Sequence, residues 1–334
     1  MTHTITVQPS GRTFTAEAGE TVLDAALRHG IDFPYGCRNG VCGNCRGQLL
    51  SGTVYYAGEA AALTPEEQAE DWALFCQAQP TSDLTIGVEL PESESLIPPR
   101  DMPAKVARMV RLSDDVMQLF LKLPEGDRLP FRAGQYVEFI LEDGKRRAFS
   151  IANAPHDDAL LEFHIRHIRG GRFTDPLFES MQEKQILRLE GPHGSFYLRE
   201  ESARPILMVA TGTGFGPIKG IVEHAIAAGI ERPIHIYWGA RHRDGLYLDA
   251  LVRSWSEQHA NIHYTPVLSQ PDAQWQGRQG YVQDVIAADF ENLADYELYA
   301  CGHPEMVLTA RRQLVERGID PAHCFADAFE WAKD

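Results

Sequence analysis

The sequence is short of three things: positive charge, cysteine and long apolar runs. Its 31 Lys+Arg stand against 47 Asp+Glu, a formal net charge of −16 over 334 residues. A chain this acidic has little with which to neutralise phosphates, so nucleic acid and anionic membrane surfaces are not expected partners. No apolar stretch approaches the roughly 20 residues that a membrane span needs. The longest, such as residues 205–210, are strand-sized. The first eleven residues have neither a basic n-region nor an apolar h-region, so no signal peptide is expected and the expected location is cytoplasmic. Thiols stay reduced there, so six cysteines suggest metal chemistry before disulfides. The remainder is 44% hydrophobic and 23% charged, an ordinary globular mixture. At roughly 150 residues per domain, the length predicts two or three domains.

Half of the few cysteines are crowded together. Cys37, Cys42 and Cys45 form C-x4-C-x2-C, and Cys76 follows thirty-one positions later. The same loop holds Gly36, Gly40, Gly43 and Gly47. Glycines let several backbone N–H groups converge on one anion, as the sulfides of an iron–sulfur cluster require. Arg38 and Arg46 flank the loop and are expected to add positive field. Structural zinc is the alternative, although zinc sites are usually built from C-x2-C pairs. The spacing resembles that of plant-type ferredoxins, which implies a 2Fe–2S cluster on Cys37, Cys42, Cys45 and Cys76. The surroundings suit that module. Residues 4–8 and 13–16 read as a hairpin, residues 20–29 as a helix stopped by Gly30, and residues 84–88 as a strand. A β-grasp ferredoxin domain over residues 1–90 is expected. It carries 4 Arg and 11 Asp+Glu, a net −7, which would steer it to a basic docking face or serve only as a solvated surface.

Residues 91–103, rich in Pro, Ser and Glu, read as an extended linker that would hold an electron carrier near its donor. Beyond it, residues 105–112, 116–123, 135–141, 148–151, 160–168 and 186–190 read as short strands. They predict a small antiparallel β-barrel over residues 104–200. Within it stand Arg147-Ala-Phe149-Ser150 and, before a helix at residues 175–180, Gly170-Gly171-Arg-Phe-Thr174. Arginine, serine and a helix start could grip a phosphate, and Phe149 offers a flat face. A surface arginine and a core phenylalanine explain the tetrapeptide equally well. The region resembles the flavin domain of the ferredoxin–NADP reductase superfamily, whose signature is R-x-Y-S. The resemblance implies FAD, with Arg147 on its phosphate, Phe149 on the isoalloxazine, Ser150 near the reactive ring nitrogen, and Gly171 and Thr174 on the pyrophosphate. Phe149 in place of tyrosine removes a hydroxyl and implies a looser hold, as in flavin reductases. Residues 191–196 resemble the turn that closes this barrel.

The last third, residues 201–334, changes character. Residues 205–210 form a continuous apolar run, the mark of a buried parallel strand. The run leads into Gly212-Thr213-Gly214-Phe-Gly216-Pro217 and then a helix at residues 218–228. Strand, glycine loop and helix make a phosphate cradle, and a tight turn is the plain alternative. Further strands at residues 234–238, 263–267 and 297–300, alternating with helices, predict a doubly wound parallel sheet. Residues 297–306 carry Cys301-Gly302-His-Pro-Glu-Met, which resembles the nicotinamide-side motif of the same superfamily. That implies Cys301 and Gly302 at the hydride-donating carbon, with Phe329, near the terminal Trp331, beside the flavin. Buried packing is the other reading of Cys301 and of Phe329. His164 and His167, three apart on a strand, face opposite sides and make no metal pair. No carboxylates form a recognisable acid–base pair.

The resemblance spans nearly the whole chain. The module order is that of reductases serving aromatic-ring oxygenases and of CDP-6-deoxy-3,4-glucoseen reductases. It implies an NAD(P)H-dependent oxidoreductase that passes electrons through FAD and the 2Fe–2S cluster to a separate acceptor protein, a terminal oxygenase or dehydratase. A free-flavin reductase and a non-catalytic iron–sulfur sensor are the alternatives. Arg241, Arg243 and Asp244 offer groups for either cofactor, and the family favours NADH over NADPH.

Overall fold

The computed structural model describes residues 2–58, 60–90 and 97–329. It divides into two compact units, Met1–Leu96 and Ile97–Asp334.

In the first unit, alternating apolar residues set the sheet. Strands β1 (His3–Gln8) and β2 (Arg12–Ala16) pair as the expected hairpin and bury Ile5, Val7, Phe14 and Ala16. Helix α1 (Val22–Arg28) lies inside the predicted span and buries Val22, Leu23, Ala25 and Ala26. Thr21 caps it, its Oγ1 accepting from the Asp24 N–H at 3.1 Å. Strands β3 (Arg46–Ser51) and β4 (Val54–Tyr56), helix α2 (Pro65–Ala69) and strands β5 (Trp72–Leu74), β6 (Ala78–Pro80) and β7 (Leu84–Gly87) complete the unit. Five strands form a mixed sheet in the order β2-β1-β7-β3-β5, with β1 and β7 parallel, and β4 pairs with β6. This is the expected ferredoxin-like fold.

The second unit begins earlier than its sequence suggests. Strand β8 (Arg100–Ser113) takes in the last four residues read as linker: residues 100–103 pair with strand β13, defined below, and Met102, Ala104 and Val106 alternate into the core. Residues 91–96 of the linker lie outside the described residues. Strands β9 (Val116–Lys122), β10 (Tyr136–Ile140), β11 (Arg146–Ser150) and β12 (Leu161–Arg166), helix α3 (Thr174–Glu179) and strand β13 (Ile186–His193) follow. They form an antiparallel sheet, β11-β10-β13-β8-β9-β12. Its end strands are joined not by a ladder but by a backbone bond just past β11, from the Ala152 N–H to the Glu162 carbonyl at 2.8 Å. Phe139, Phe149, Phe163 and Phe173 fill the interior, with Phe139 5.0–5.1 Å from the other three rings.

The rest is βα alternation. Strand β14 (Ile206–Thr211), helix α4 (Phe215–Ala227), strand β15 (Ile234–Ala240), helix α5 (Asp249–Gln258), strands β16 (Ile262–Leu268) and β17 (Arg278–Gln279), helix α6 (Val282–Asp289), strand β18 (Glu297–Gly302), helix α7 (Pro304–Glu316) and strand β19 (Cys324–Ala328) form it. All six strands are parallel, in the order β17-β16-β15-β14-β18-β19. Phe215 stacks on Trp238 at 4.0 Å in its core. At the foot of the sheet, Arg232 is paired with Glu297 at 2.7 Å, both side chains almost fully buried. Arg232→Met leaves Glu297 buried without its cation. It is expected to cost about 3–5 kcal/mol, read by urea or thermal unfolding. Among the described residues, no helix is long and apolar enough to cross a membrane.

Candidate cofactor sites

The four cysteines converge as two pairs. The Cys42 N–H points at Cys37 Sγ at 3.2 Å, and the Cys37 N–H at Cys42 Sγ at 3.4 Å. Cys45 and Cys76 form the second hydrogen-bonded pair. The Cys37 thiol is pulled down to about 6, first by the Cys42 thiol and then, against burial, by the N–H groups of Asn39, Cys42 and Val41. Cys76 is lowered chiefly by Cys45, while Cys42 and Cys45 are raised by their partners and by burial. Sets of three or more candidate ligands within 4.8 Å of one another, among the described residues, are Glu138, Glu190 and His193, and His167, Asp175 and Glu179; the four thiols make no such set. Two spaced thiol pairs fit two metal ions and do not suit the single tetrahedral centre of structural zinc. The donor set therefore fits a 2Fe–2S cluster.

The loop differs in detail from its sequence reading. Gly40 and Gly43 take φ of 83° and 79°, which a side chain disfavours, and Arg38 shares that conformation. Gly47 does not face a ligand: a Cβ there would lie 2.5 Å from Val88 Cγ2 and 2.6 Å from Phe75 Cε2. Arg46 is paired with Glu67 at 2.8 Å and stacked on Trp72, and Arg38 is paired with Asp24. The expected positive field of both arginines is thus largely compensated by carboxylates.

In the flavin half, β11 presents Arg147, Phe149 and Ser150. Arg147 is half-buried and donates from one guanidinium nitrogen to the Arg146 carbonyl at 2.9 Å. Phe149 rests against Phe139 and Phe173 at 5.1 and 5.2 Å, so it serves the core while keeping one side open. Thr174 is buried, and its hydroxyl donates to the Ile168 carbonyl at 2.8 Å. Its one proton is committed to shaping the loop. A Cβ on Gly171 would meet Thr174 Oγ1 at 2.4 Å, so glycine is what lets that turn close.

In the dinucleotide half, residues 212–214 form a tight turn and α4 starts at Phe215, three residues earlier than expected. Gly212 has φ 54° and accepts from Trp238 Nε1 at 3.1 Å. The Arg166 guanidinium lies 3.0–3.2 Å from where its Cβ would be. Thr213 is half-buried at the turn. Gly214 packs on the other motif: a Cβ there would sit 2.3 Å from the Cys301 carbonyl oxygen. The Cys301-Gly302 strand end and the G-x-G-x-G loop therefore interlock before any ligand is considered.

Ser150 and Cys301 are brought together by a residue that sequence reasoning missed. Ser150 Oγ donates to Asp327 Oδ2 at 3.3 Å, with both residues buried. Asp327 stands opposite Cys301 in the β18–β19 ladder. Burial, and then the Asp327 charge, push the Cys301 thiol well above its ordinary value, so it is a neutral thiol. The Phe329 N–H donates to the Gly302 carbonyl at 2.8 Å, seating that half-buried ring at the same strand ends. Trp331 lies outside the described residues. His164 and His167 do not share a site: His164 binds Glu162 at 2.8 Å and His167 binds Asp175 at 2.9 Å.

Comparison with known proteins follows the same three-part order. A 2Fe-2S iron-sulfur cluster binding domain matches residues 5–81, an oxidoreductase FAD-binding domain residues 103–197, and an oxidoreductase NAD-binding domain residues 208–312. The chain is 37% identical over 329 residues to the CDP-6-deoxy-L-threo-D-glycero-4-hexulose-3-dehydrase reductase of Yersinia pestis, covering 98% of this chain and 99% of the relative. The chain belongs to the three-module ferredoxin–flavin–NAD(P)H reductases. It is also 35% identical to the terephthalate 1,2-dioxygenase reductase component 2 of Comamonas sp., covering 98% of both chains. Among solved structures it is similar to the Amycolatopsis cytochrome P450 reductase, with a TM-score of 0.77, 32% identity and 98% of both chains covered. As a member of this family it is an NAD(P)H-dependent flavin and iron–sulfur reductase, and it transfers electrons to an acceptor protein. The expected doubly wound third domain and ferredoxin-like first domain agree with both the fold and the family.

Proposed function

We propose that the chain takes electrons from NADH and delivers them to a terminal oxygenase or deoxysugar dehydratase. The observation that carries this reading is the buried meeting of Ser150, Asp327 and Cys301, which joins the end of the flavin strand to the end of the nicotinamide strand. When bound, flavin would supply the conversion between two-electron hydride chemistry and one-electron transfer, which is why it belongs between nicotinamide and iron. The chain's own residues have the other tasks. Arg147 holds the flavin phosphate, Phe149 supports the ring, and Gly171 and Thr174 shape the turn beneath the pyrophosphate. Ser150, with its hydroxyl directed by Asp327, sits at the reacting edge. Residues 212–216 cradle the dinucleotide, and the neutral Cys301, Gly302 and Phe329 border the nicotinamide. Cys37, Cys42, Cys45 and Cys76 hold the cluster. With β8 starting at Arg100, the three modules are assigned to residues 1–90, 100–200 and 201–334.

Ser150→Ala tests the assignment. It removes a hydrogen bond at the reacting edge and is expected to slow flavin reduction by NADH by about 10²–10³-fold, the range for loss of one positioned hydrogen-bonding group. Stopped-flow bleaching of the flavin reads it, and an unchanged rate would remove Ser150 from the site. The preference for NADH is tested by the ratio of kcat/KM values. Arg241, Arg243 and Asp244 are exposed, and Arg243 lies over Trp275 at the rim of a cleft of about 550 Å³ beside β16. Arg253 and Arg278 in that cleft are already paired with Asp249 and Asp289. NADH is expected to be preferred by at least about tenfold, or 1.4 kcal/mol, and a reversed ratio contradicts the reading.

A further inference from the structure

Helix α4 leaves the dinucleotide loop and lies directly on the flavin half. A Cβ at Gly216 would stand 3.6 Å from Ala152 Cβ and 3.6 Å from His164 Cβ, and one at Gly220 would stand 2.9 Å from the Asn153 carbonyl. Gly220 thus lets the helix approach the segment that follows Ser150, whereas a side-chain carbon at Gly216 would make only ordinary contacts. Between them, Lys219 turns into the same contact, its side chain 8% exposed. All three of its ammonium protons have acceptors: the Ala152 carbonyl at 3.2 Å, Glu162 Oε2 at 3.0 Å and Glu223 Oε2 at 2.9 Å. The other oxygen of Glu162 accepts from Gln118 Nε2 at 2.7 Å and from His164 Nε2 at 2.8 Å. With that nitrogen donating, His164 Nδ1 is free to accept from the Tyr247 hydroxyl at 3.1 Å. Burial works against ionisation of Glu162, but the His164 hydrogen bond and the Lys219 charge overcome it and hold the carboxyl at about 2. Glu162 is therefore a carboxylate at neutral pH.

One polar cluster thus ties β9, β12, the backbone after β11, α4 and the loop after β15. Stability alone does not explain it, since a buried ion pair often contributes no more than apolar side chains of the same volume. A charged pair with three directional bonds does fix a distance. The bond to the Ala152 carbonyl does so two residues from Ser150, and Lys219 itself lies three residues beyond the glycine loop. Hydride transfer is sensitive to this kind of spacing, because reacting atoms must approach to about 3–3.5 Å and a displacement of about 1 Å can cost 10²-fold.

We propose that Lys219 is a positioning residue for hydride transfer, setting the spacing between the dinucleotide loop and the end of the flavin strand. The inference rests on the assignment of Ser150 and residues 212–216 made above. The test uses the full chain loaded with FAD and cluster, as wild type, Lys219→Met and Glu162→Gln/Lys219→Met. Four quantities are read: flavin bleaching by saturating NADH, the apparent NADH dissociation constant, the long-wavelength charge-transfer absorbance when NAD+ meets dithionite-reduced protein, and the thermal midpoint. Lys219→Met is expected to slow bleaching about 10–100-fold while binding changes less than about threefold, the signature of a geometry lost after binding. Its charge-transfer absorbance falls as well. The double variant regains thermal stability but stays slow, because the Ala152 carbonyl still lacks its donor. A merely structural role would move the thermal midpoint and restore the rate in the double variant. Wild-type rate and absorbance in a folded variant overturn the proposal. So does failure of both variants to fold, which would make Lys219 a stability residue. If NADH leaves the wild-type flavin oxidised, the assignment beneath the proposal fails first.

Discussion

Cys42→Ala is expected to abolish electron transfer through the cluster while leaving flavin bleaching by NADH intact. Cys42 and Cys37 face each other through reciprocal N–H to sulfur contacts of 3.4 and 3.2 Å, and Cys42 is buried. Alanine leaves Cys37 with no second thiol on its side of the site, and Cys45 and Cys76 form a separate pair that cannot substitute. Loss of an outer-shell partner alone costs roughly 10–100-fold in metal affinity, and a lost ligand should exceed that. Iron is therefore expected to fall to background in the purified variant, with no 2Fe–2S EPR signal. Cytochrome c reduction should drop by well over about 100-fold relative to wild type by the same comparison. The dinucleotide and flavin motifs belong to the other compact unit, so flavin reduction should continue. A Cys42→Ala protein that reduced cytochrome c at full rate would contradict the proposed order of carriers.

Gly302→Ala should have the second largest effect, and for a different reason. Gly302 has φ 131°, where an L side chain is strained. A Cβ there would stand 2.5 Å from Thr211 Oγ1 and 2.7 Å from the Thr211 carbonyl. Thr211 cannot easily withdraw, because it ends β14 and its Oγ1 accepts from the His303 N–H at 3.1 Å. Backbone strain of about 1–3 kcal/mol adds to overpacking of about 1–3 kcal/mol, for a loss of roughly 2–6 kcal/mol. The displaced strand end also carries Cys301 and receives the Phe329 N–H, so NADH-driven flavin reduction should fall with stability. Thermal unfolding and stopped-flow reduction read the two effects. Wild-type values in both would mean that the close packing of β14 on β18 is not needed.

What the sequence made legible follows from how local each signal is. Three cluster ligands lie within nine positions, and Cys76 stands out only because cysteine is scarce. Strands of three residues such as β4, β5 and β6 are too short to show a period, and none was expected. The start of β8 was hidden by prolines and charge, although Met102, Ala104 and Val106 already alternate. Asp327 was missed because its partner Ser150 is 177 positions away, and nothing near Asp327 marks it. Glu162 and Lys219 meet across 57 positions, and the available signal was a lysine in the otherwise apolar first half of α4. Charges are the hardest case. Arg38 and Arg46 read as a positive field, but Asp24 and Glu67, distant in sequence, compensate them in the fold.

Hydride taken from nicotinamide is proposed to leave this chain as single electrons through the cluster. An anaerobic titration of the purified chain with NADH, with iron and flavin counted and absorbance followed by low-temperature EPR, tests this route most directly. Flavin and cluster absorbance are expected to bleach together, with a 2Fe–2S EPR signal growing as NADH is added. Reduction and release of flavin while the cluster stays oxidised would contradict the proposed route.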